Sequence, residues 1–315
     1  MTGHAKRWPL AAAIGAVVGA ALCFAAQPLM ALASSRTRSP APASSSLGQS
    51  APELTAAPAT VHAPPDRLPR RFHVVSMRGS AMSPFIDGNS IEALRAAKQQ
   101  GLPDVEVDVL LTSDGVLVTA HDDNPRACRT LSLATLEQAK ACELMGGRHV
   151  ATLDEVLELE FETVFVDLKN TKDGAAASTA AVRSAVNAVV RAGAQDRAVL
   201  MLYAPTPASL AVLERHELRA GLKGYPESAA AARALARQAF ALGFELVCVN
   251  SRQVTPELIR EAGALGVWYL PWSTELDVRH WAELAANGAG GLIVLHAGQA
   301  FTRVAPEWTD VRARL

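Results

Sequence analysis

The chain has 315 residues, half of them apolar and 19% charged, with a formal net charge of −1. That length admits one or two domains with a sizeable core, and the near-neutral charge leaves no basic face of the kind that binds nucleic acid. Small anionic ligands are not excluded, because one site can be basic or metal-bound inside a neutral protein.

The first 33 residues read as an export segment. His4, Lys6 and Arg7 form a short positive lead, and Trp8 to Ala33 then carries no charge and closes on Ala31-Leu32-Ala33. Small-x-small spacing suits a cleaved signal, whereas the length of the apolar run suits an uncleaved anchor. Both readings stand, and both place the rest of the chain on the outer face of a membrane, since the positive end stays inside. Residues 34–68 are rich in Pro, Ser and Ala without apolar periodicity, the composition of a disordered tether. Residues 69–315 form the expected folded domain. Of its three cysteines, Cys128 and Cys142 make the most local disulfide pair in an oxidising compartment. The alternative is that all three are small buried hydrophobes, and their spacing matches no zinc pattern.

Within the domain, strand-like runs alternate with Ala- and Leu-rich helical ones. The strands are expected at 72–77, 105–109, 116–121, 163–168, 198–203, 218–223, 245–250, 267–271 and 291–296. Between them lie SIEALRAAKQQG, TLDEVLELE, STAAVRSAVNAVVRAG, ESAAAARALARQAFALG and TPELIREAGALG, several opening on Ser or Thr and closing on Gly as helix caps do. Repeated strand–helix units imply a parallel sheet. Their number and the domain length favour an α/β TIM-type (β/α)8 barrel. No helix separates the runs flanking Asp114-Gly115, so one of them is expected as a hairpin arm, which reduces nine runs to eight staves. A doubly wound sheet is the alternative, but no glycine-rich dinucleotide loop follows the first strand.

Barrel chemistry gathers at the carboxyl ends of the strands, and those ends here carry Arg78, Glu106, Asp108, His121, Asp167, Lys169, Lys223, Asn250, Trp272 and His296. Glu106 and Asp108 stand two apart on one strand and so share a face. Like charges that close repel unless a cation lies between them or one is protonated. With Asp167 they offer three oxygen donors of the kind that suits Mg2+ or Ca2+. The alternative is a solvated ring of ion pairs, Asp167 with Lys169 and Glu106 with Arg78. Trp268, Tyr269 and Trp272 are read as core, or as an apolar wall for a substrate tail.

From Val74 to Asn170 the chain resembles the glycerophosphodiester phosphodiesterase family. The resemblance is carried by Arg78-Gly79, Asn89, Ala93, Gly101, Glu106-x-Asp108-Val109, Thr112-x-Asp114-Gly115, His121-Asp122, Thr152-Leu153-x-Glu155-Val156 and Asp167-Leu168-Lys169. It implies a barrel that hydrolyses a phosphodiester with a divalent cation, Mg2+ or Ca2+, held by Glu106, Asp108 and Asp167. It also implies that Arg78 contacts the phosphate, Lys169 stabilises negative charge and His121 is one of two proton-carrying histidines. Asn89 and Trp272 are candidate substrate contacts. The implied partner is a small phosphodiester or lipid head group, with membrane tethering through the N-terminal segment and no nucleic acid.

The departures from the family pattern are as informative. The family opens His-Arg-Gly, and this chain has Met77-Arg78-Gly79. A thioether carries no proton, and a general acid or base is worth on the order of 10²–10⁴ in rate. The family's Glu-Asn-Thr stands as Gly88-Asn89-Ser90, its late Trp-Thr-x-Asn is not recognisable in LPWS (270–273), and a usual Thr-Asp ending is Leu295-His296. Asp167 replaces a usual Glu, as in the sphingomyelinase D-like relatives. His296 ends the strand expected beside the first, about 4.8 Å away, and is the candidate replacement imidazole. His73 lies about 13 Å lower in the barrel. Three readings follow: a slow or altered phosphodiesterase, a barrel that binds such a ligand without turnover, and a sphingomyelinase D-like phospholipase.

Overall fold

The computed structural model describes residues 72–80, 88–125, 128, 130–144, 147–169, 178–295 and 297. All belong to the second of two units into which the chain divides, Ala57–Leu315. The expected export segment and tether lie outside the described residues. Among the described ones, no helix is long and apolar enough to cross a membrane.

The β-branched and apolar runs form β1 (His73–Met77), β2 (Asp104–Leu111), β3 (Leu117–Thr119) and β6 (Thr163–Leu168) where strands were expected, and β4 (Glu143–Leu144) and β5 (Arg148–His149) stand where none was. They continue with β7 (Ala198–Leu202), β8 (Arg219–Lys223), β9 (Leu246–Cys248), β10 (Trp268–Tyr269), β11 (Trp272–Ser273) and β12 (Gly291–Val294). Hydrogen-bonded neighbours run β10-β9-β8-β7-β6-β2-β1-β12-β11, and every pair on that path is parallel. β10 and β11 are two pieces of one stave, interrupted at Leu270-Pro271. On one side Leu270 N donates to Val247 O at 2.9 Å, and on the other Ile293 N donates to Pro271 O at 2.8 Å. That stave closes the ring at eight. β3 is the hairpin arm, antiparallel to β2, and β4 and β5 form a separate small hairpin.

Helices cover the outside: α1 (Ile91–Gln99), α2 (Leu136–Lys140), α3 (Leu153–Glu158), α4 (Thr179–Arg191), α5 (Pro207–Arg215), α6 (Ala229–Ala241), α7 (Pro256–Ala264) and α8 (Val278–Ala286). Side-chain caps set their starts. Ser90, Ser178 and Ser228 each accept from the third helical N–H, and Thr152 with Glu155 makes a reciprocal capping box, together satisfying donors that the helix itself leaves open. α4 shows the packing rule. Val182, Val186 and Val189 recur at helical spacing and are fully buried, each contributing roughly 1.5 kcal/mol or more by leaving water.

Three cores result among the described residues: one between staves and helices, a small one around the hairpin arm with Leu110, Val118, Leu131 and Val150, and one inside the barrel. The interior one comprises Val75, Met77, Phe165, Val199, Met201, Leu246, Cys248, Leu270 and Ile293, with Trp272 and Leu295 packed against it. At its lower end His73 Nδ1 lies 2.8 Å from Asp104 Oδ2, with the ring edge-on to Phe165 at 5.9 Å, so His73 belongs to the opposite mouth from the strand ends. Tyr269 is core, its hydroxyl donating to Ala232 O at 2.9 Å, and Trp268 is partly buried. His149 sits in β5 with Nδ1 3.8 Å from Glu92 Oε1.

Cys128 and Cys142 are bonded, with Cα atoms 5.4 Å apart across a sequence separation of 14; Cys248 is free and buried. A loop of that length is worth about 3 kcal/mol in the unfolded chain's entropy. Cys142→Ser should therefore lower unfolding stability by about 2–4 kcal/mol in urea melts, whereas wild type should keep both cysteines protected from alkylation in denaturant without reductant.

Candidate active site

The strand ends converge because of one turn. β1 leaves the barrel through Arg78 and Gly79, both at positive φ (57° and 67°). Glycine is required at the second position, because a Cβ there would lie 2.8 Å from Leu94 Cδ2 and 3.1 Å from the Leu94 backbone. The turn is held by Arg78 N donating to Glu106 O at 2.7 Å and by Ser80 N donating to Met77 O at 2.9 Å. Asn89 N donates back to Arg78 O at 2.8 Å. Gly88 is as constrained: a Cβ there would meet Arg78 Cβ at 2.6 Å, so the Arg78 stem fills the space beside the position where the resemblance leads one to expect a glutamate.

Glu106 and Asp108 project from β2 into the mouth, and Asp167 projects from β6 in direct register with Asp108. All three are at most 2% exposed, and each offers an oxygen within 4.8 Å of the others'. Three basic heads surround them. Lys169 Nζ lies 2.8 Å from Asp108 Oδ1 and 2.6 Å from Asp167 Oδ2. Arg78 Nε is 2.9 Å from Asp108 Oδ2, though without a hydrogen-bonding line between them. Lys223, from the end of β8, bonds Asp167 Oδ2 and lies 3.8 Å from Glu106 Oε1. Both alternatives from the sequence are thus visible together: the carboxylates have the geometry of a cation site, and Asp167 pairs with Lys169. Glu106 differs from expectation, because it accepts the Arg78 backbone N–H at 3.2 Å while the guanidinium turns to Asp108.

Asp167 is used unevenly. Its Oδ2 also accepts from the Tyr203 hydroxyl at 3.3 Å, whereas Oδ1 is buried with no hydrogen-bond partner among the described residues. A buried carboxylate oxygen without a donor leaves acceptor capacity open to a ligand, and all three residues supply hard oxygen donors. The residues therefore fit a divalent cation.

Burial raises the Glu106 carboxyl to about 8, helped by the charge of neighbouring Asp108. Burial opposes ionisation of Asp108 too, but Lys169, Arg78 and Lys223 outweigh it and hold that carboxyl far below the usual range. Burial also works against both lysine charges, yet Asp108 and Asp167 raise Lys169, while Asp167 heads the groups that raise Lys223.

The other expected site residues divide. Asn89 is 3% exposed and is engaged by Asp108 on both sides: Nδ2 donates to its carboxylate at 2.8 Å and Oδ1 accepts its backbone N–H at 3.0 Å. Its own backbone sits at φ 66°. His121 follows Ala120, whose N–H bonds Asp108 O at 2.9 Å; the imidazole is exposed, with Nδ1 2.8 Å from Asp122. Trp272 is half-buried, edge-on to Tyr225 at 6.3 Å, and Tyr225 stacks on Tyr203 at 5.8 Å. His296 lies outside the described residues. Lys223 was expected only as a polar strand end with no assigned role, and Tyr203 and Tyr225 were not among the expected site residues. The available signal was a lysine closing the apolar strand RAGLK, since an inward polar group at a barrel end must find a partner.

A pH experiment isolates the Glu106 environment. Its folded carboxyl titrates near 8 against an ordinary value of 4.5, so between those values the folded state holds a proton that the unfolded state has lost. Stability should fall as pH rises through that window, by up to about 1.4 kcal/mol per unit. Glu106→Gln should flatten the slope in urea titrations of metal-free protein from pH 5 to 8.

Comparison with known proteins agrees with this geometry. No curated protein matches the chain significantly. A Silicibacter pomeroyi protein assigned as a glycerophosphoryl diester phosphodiesterase is similar in structure with a TM-score of 0.64 and 22% identity, over 76% of this chain and 94% of that one. A glycerophosphodiester phosphodiesterase from Parabacteroides distasonis gives 0.60 and 20%, over 75% and 98%. An Oleispira antarctica phosphodiesterase solved with its product sn-glycerol-3-phosphate gives 0.60 and 18%, over 76% and 97%. At such identities these likenesses establish the barrel. The profile of the glycerophosphoryl diester phosphodiesterase family matches residues 78–297, from the rim turn to just beyond the last strand, and the chain belongs to that family.

Proposed function

We propose that this protein hydrolyses a phosphodiester of the glycerophosphodiester class at the mouth formed by β1, β2, β6 and β8. The observation that carries the reading is the buried trio Glu106, Asp108 and Asp167, whose oxygens lie within 4.8 Å of one another. Those three would hold a Mg2+ or Ca2+ ion, which when bound supplies positive charge to the phosphoryl oxygens. Arg78, with its side chain 31% exposed, offers the phosphate its guanidinium from the rim. Lys169 is ranked beside the carboxylates to offset charge that develops on the phosphoryl group. Asn89 serves as a positioning residue, fixing Asp108, and not as a substrate contact. His121 is free to move a proton at a leaving oxygen, with Asp122 orienting Nδ1. Trp272, Tyr225 and Tyr203 supply an aromatic side wall for the alcohol portion. The neighbour holding sn-glycerol-3-phosphate supports a small substrate, and the Cys128–Cys142 bond supports a fold that works in an oxidising, exported setting.

Met77 favours a second reading, in which the site binds the diester but does not turn it over. Its thioether is 5% exposed and packed in the interior cluster with Ile293, and Leu295 lies against the same cluster, so an apolar seam stands where the family carries a histidine.

Calorimetry should show a divalent cation binding to wild type and not to Glu106→Gln with Asp108→Asn; wild type that binds none under any condition removes the cation-assisted reading. Hydrolysis of glycerophosphodiesters by wild type, lowered on the order of 10²-fold or more by His121→Ala, would establish turnover. Cation binding without turnover, with activity appearing on Met77→His, would establish the second reading.

A further inference from the structure

Lys223 has no role in the mechanism above, yet it is the most deeply placed of the basic heads. Its side chain is 7% exposed, against 12% for Lys169 and 31% for Arg78. It rises from β8, and β7 separates that stave from β6, which carries Asp167. At its own level β8 pairs with Cys248 of β9, a buried thiol that burial pushes up to about 12 and that stays neutral. The ammonium therefore has no charged partner on its neighbouring stave and reaches into the cluster instead. There it bonds Asp167 and lies 3.8 Å from Glu106.

We infer that Lys223 is a resident cation of the carboxylate cluster: its ammonium holds the place between Asp167 and Glu106 that a divalent ion would take, and such an ion enters by displacing it. The inference rests on the reading of Glu106, Asp108 and Asp167 as cation ligands.

Charge supports the exchange. Once an incoming ion has displaced the proton that Glu106 holds in the metal-free state, all three carboxyls are ionised, and Arg78, Lys169 and Lys223 by themselves neutralise the cluster. A divalent ion added to that set would leave two uncompensated positive charges in a layer shut off from water, which is costly. Exchanged for Lys223, the ion leaves one, and the single negative charge of a phosphodiester cancels it. Geometry supports it as well. Asp167 Oδ2 is crowded by Lys169, Lys223 and Tyr203 while Oδ1 has no donor, so a ligand taking Oδ1 competes with the ammonium for the same carboxylate. The displaced head has somewhere to go, since Lys223 Nζ already stands 5.7 Å from the centre of the Tyr203 ring, beside the exposed Tyr225.

The test is calcium titration of the full chain by calorimetry, wild type against Lys223→Met, which keeps the length of the side chain and removes its charge. The variant should bind Ca2+ about tenfold or more tightly than wild type, the effect of removing one positive charge from a few ångströms away. Binding in the variant alone would mean that the ammonium shuts the ion out, and would overturn entry by displacement. Wild type that binds with the variant no tighter overturns the role of Lys223 and leaves the cation site standing. No binding in either overturns both. A variant that does not fold without metal is replaced by wild type carrying 15Nζ-lysine, with the Lys223 signal assigned through Lys223→Arg. Calcium saturation should shift that signal to the position of an exposed ammonium; an unchanged signal at saturation overturns the inference.

Discussion

Everything at the strand ends is arranged around a carboxylate held out of water. Asp167 is fully buried, and an isolated ion in such a place is untenable without partners. Its neighbours Asp108 and Glu106 add to the difficulty, because three negative groups share one small volume. The structure meets this in two ways. It draws in cations from three different strand ends, and it leaves Glu106 protonated near neutral pH in the metal-free state. The same concentration of unsatisfied charge that would destabilise a purely structural core gives a binding site its affinity.

The barrel makes this possible by dividing its interior by height. Below the mouth, Val75, Phe165, Val199, Leu246, Leu270 and Ile293 fill the interior with apolar volume, so the charged layer rests on a floor that admits no counter-ions from beneath. Above it, the double positive-φ turn at Arg78-Gly79 brings the backbone over Glu106 and sets the guanidinium at the rim. Gly88 and Asn89 support that turn from the far side, one by leaving room for the Arg78 stem and the other by clamping Asp108. Positioning is thus done by backbone geometry at least as much as by side-chain pairing.

Much of this was legible in the amino-acid sequence, and the reasons differ by residue. Glu106 and Asp108 stand two apart on a strand, so their shared direction follows from the period of the pleat. The eight staves followed from β-branched runs separated by capped helices, and the hairpin arm from the absence of a helix around Asp114-Gly115. Lys223 was visible only as a polar strand end, because its partner Asp167 lies 56 positions earlier and no local spacing joins them. Asn89 carried a motif signal, but the signal did not say that Asp108 would consume its amide. Arg78 was expected against Glu106 and lies against Asp108, since the turn presents its backbone, not its head, to the glutamate. Only the three-dimensional register resolves such choices.

The stave broken at Leu270-Pro271 has a positional consequence. Proline brings no N–H to a ladder, and this stave is reduced to two two-residue pieces in an otherwise continuous ring. In the order of staves it stands directly across from β6, which carries Asp167. The position that lacks an N–H is therefore as far around the circumference from Asp167 as the ring allows. The one donor that proline withholds from the ladder thus falls away from the acids, and the pairing of β2 with β6 that sets Asp108 beside Asp167 is complete.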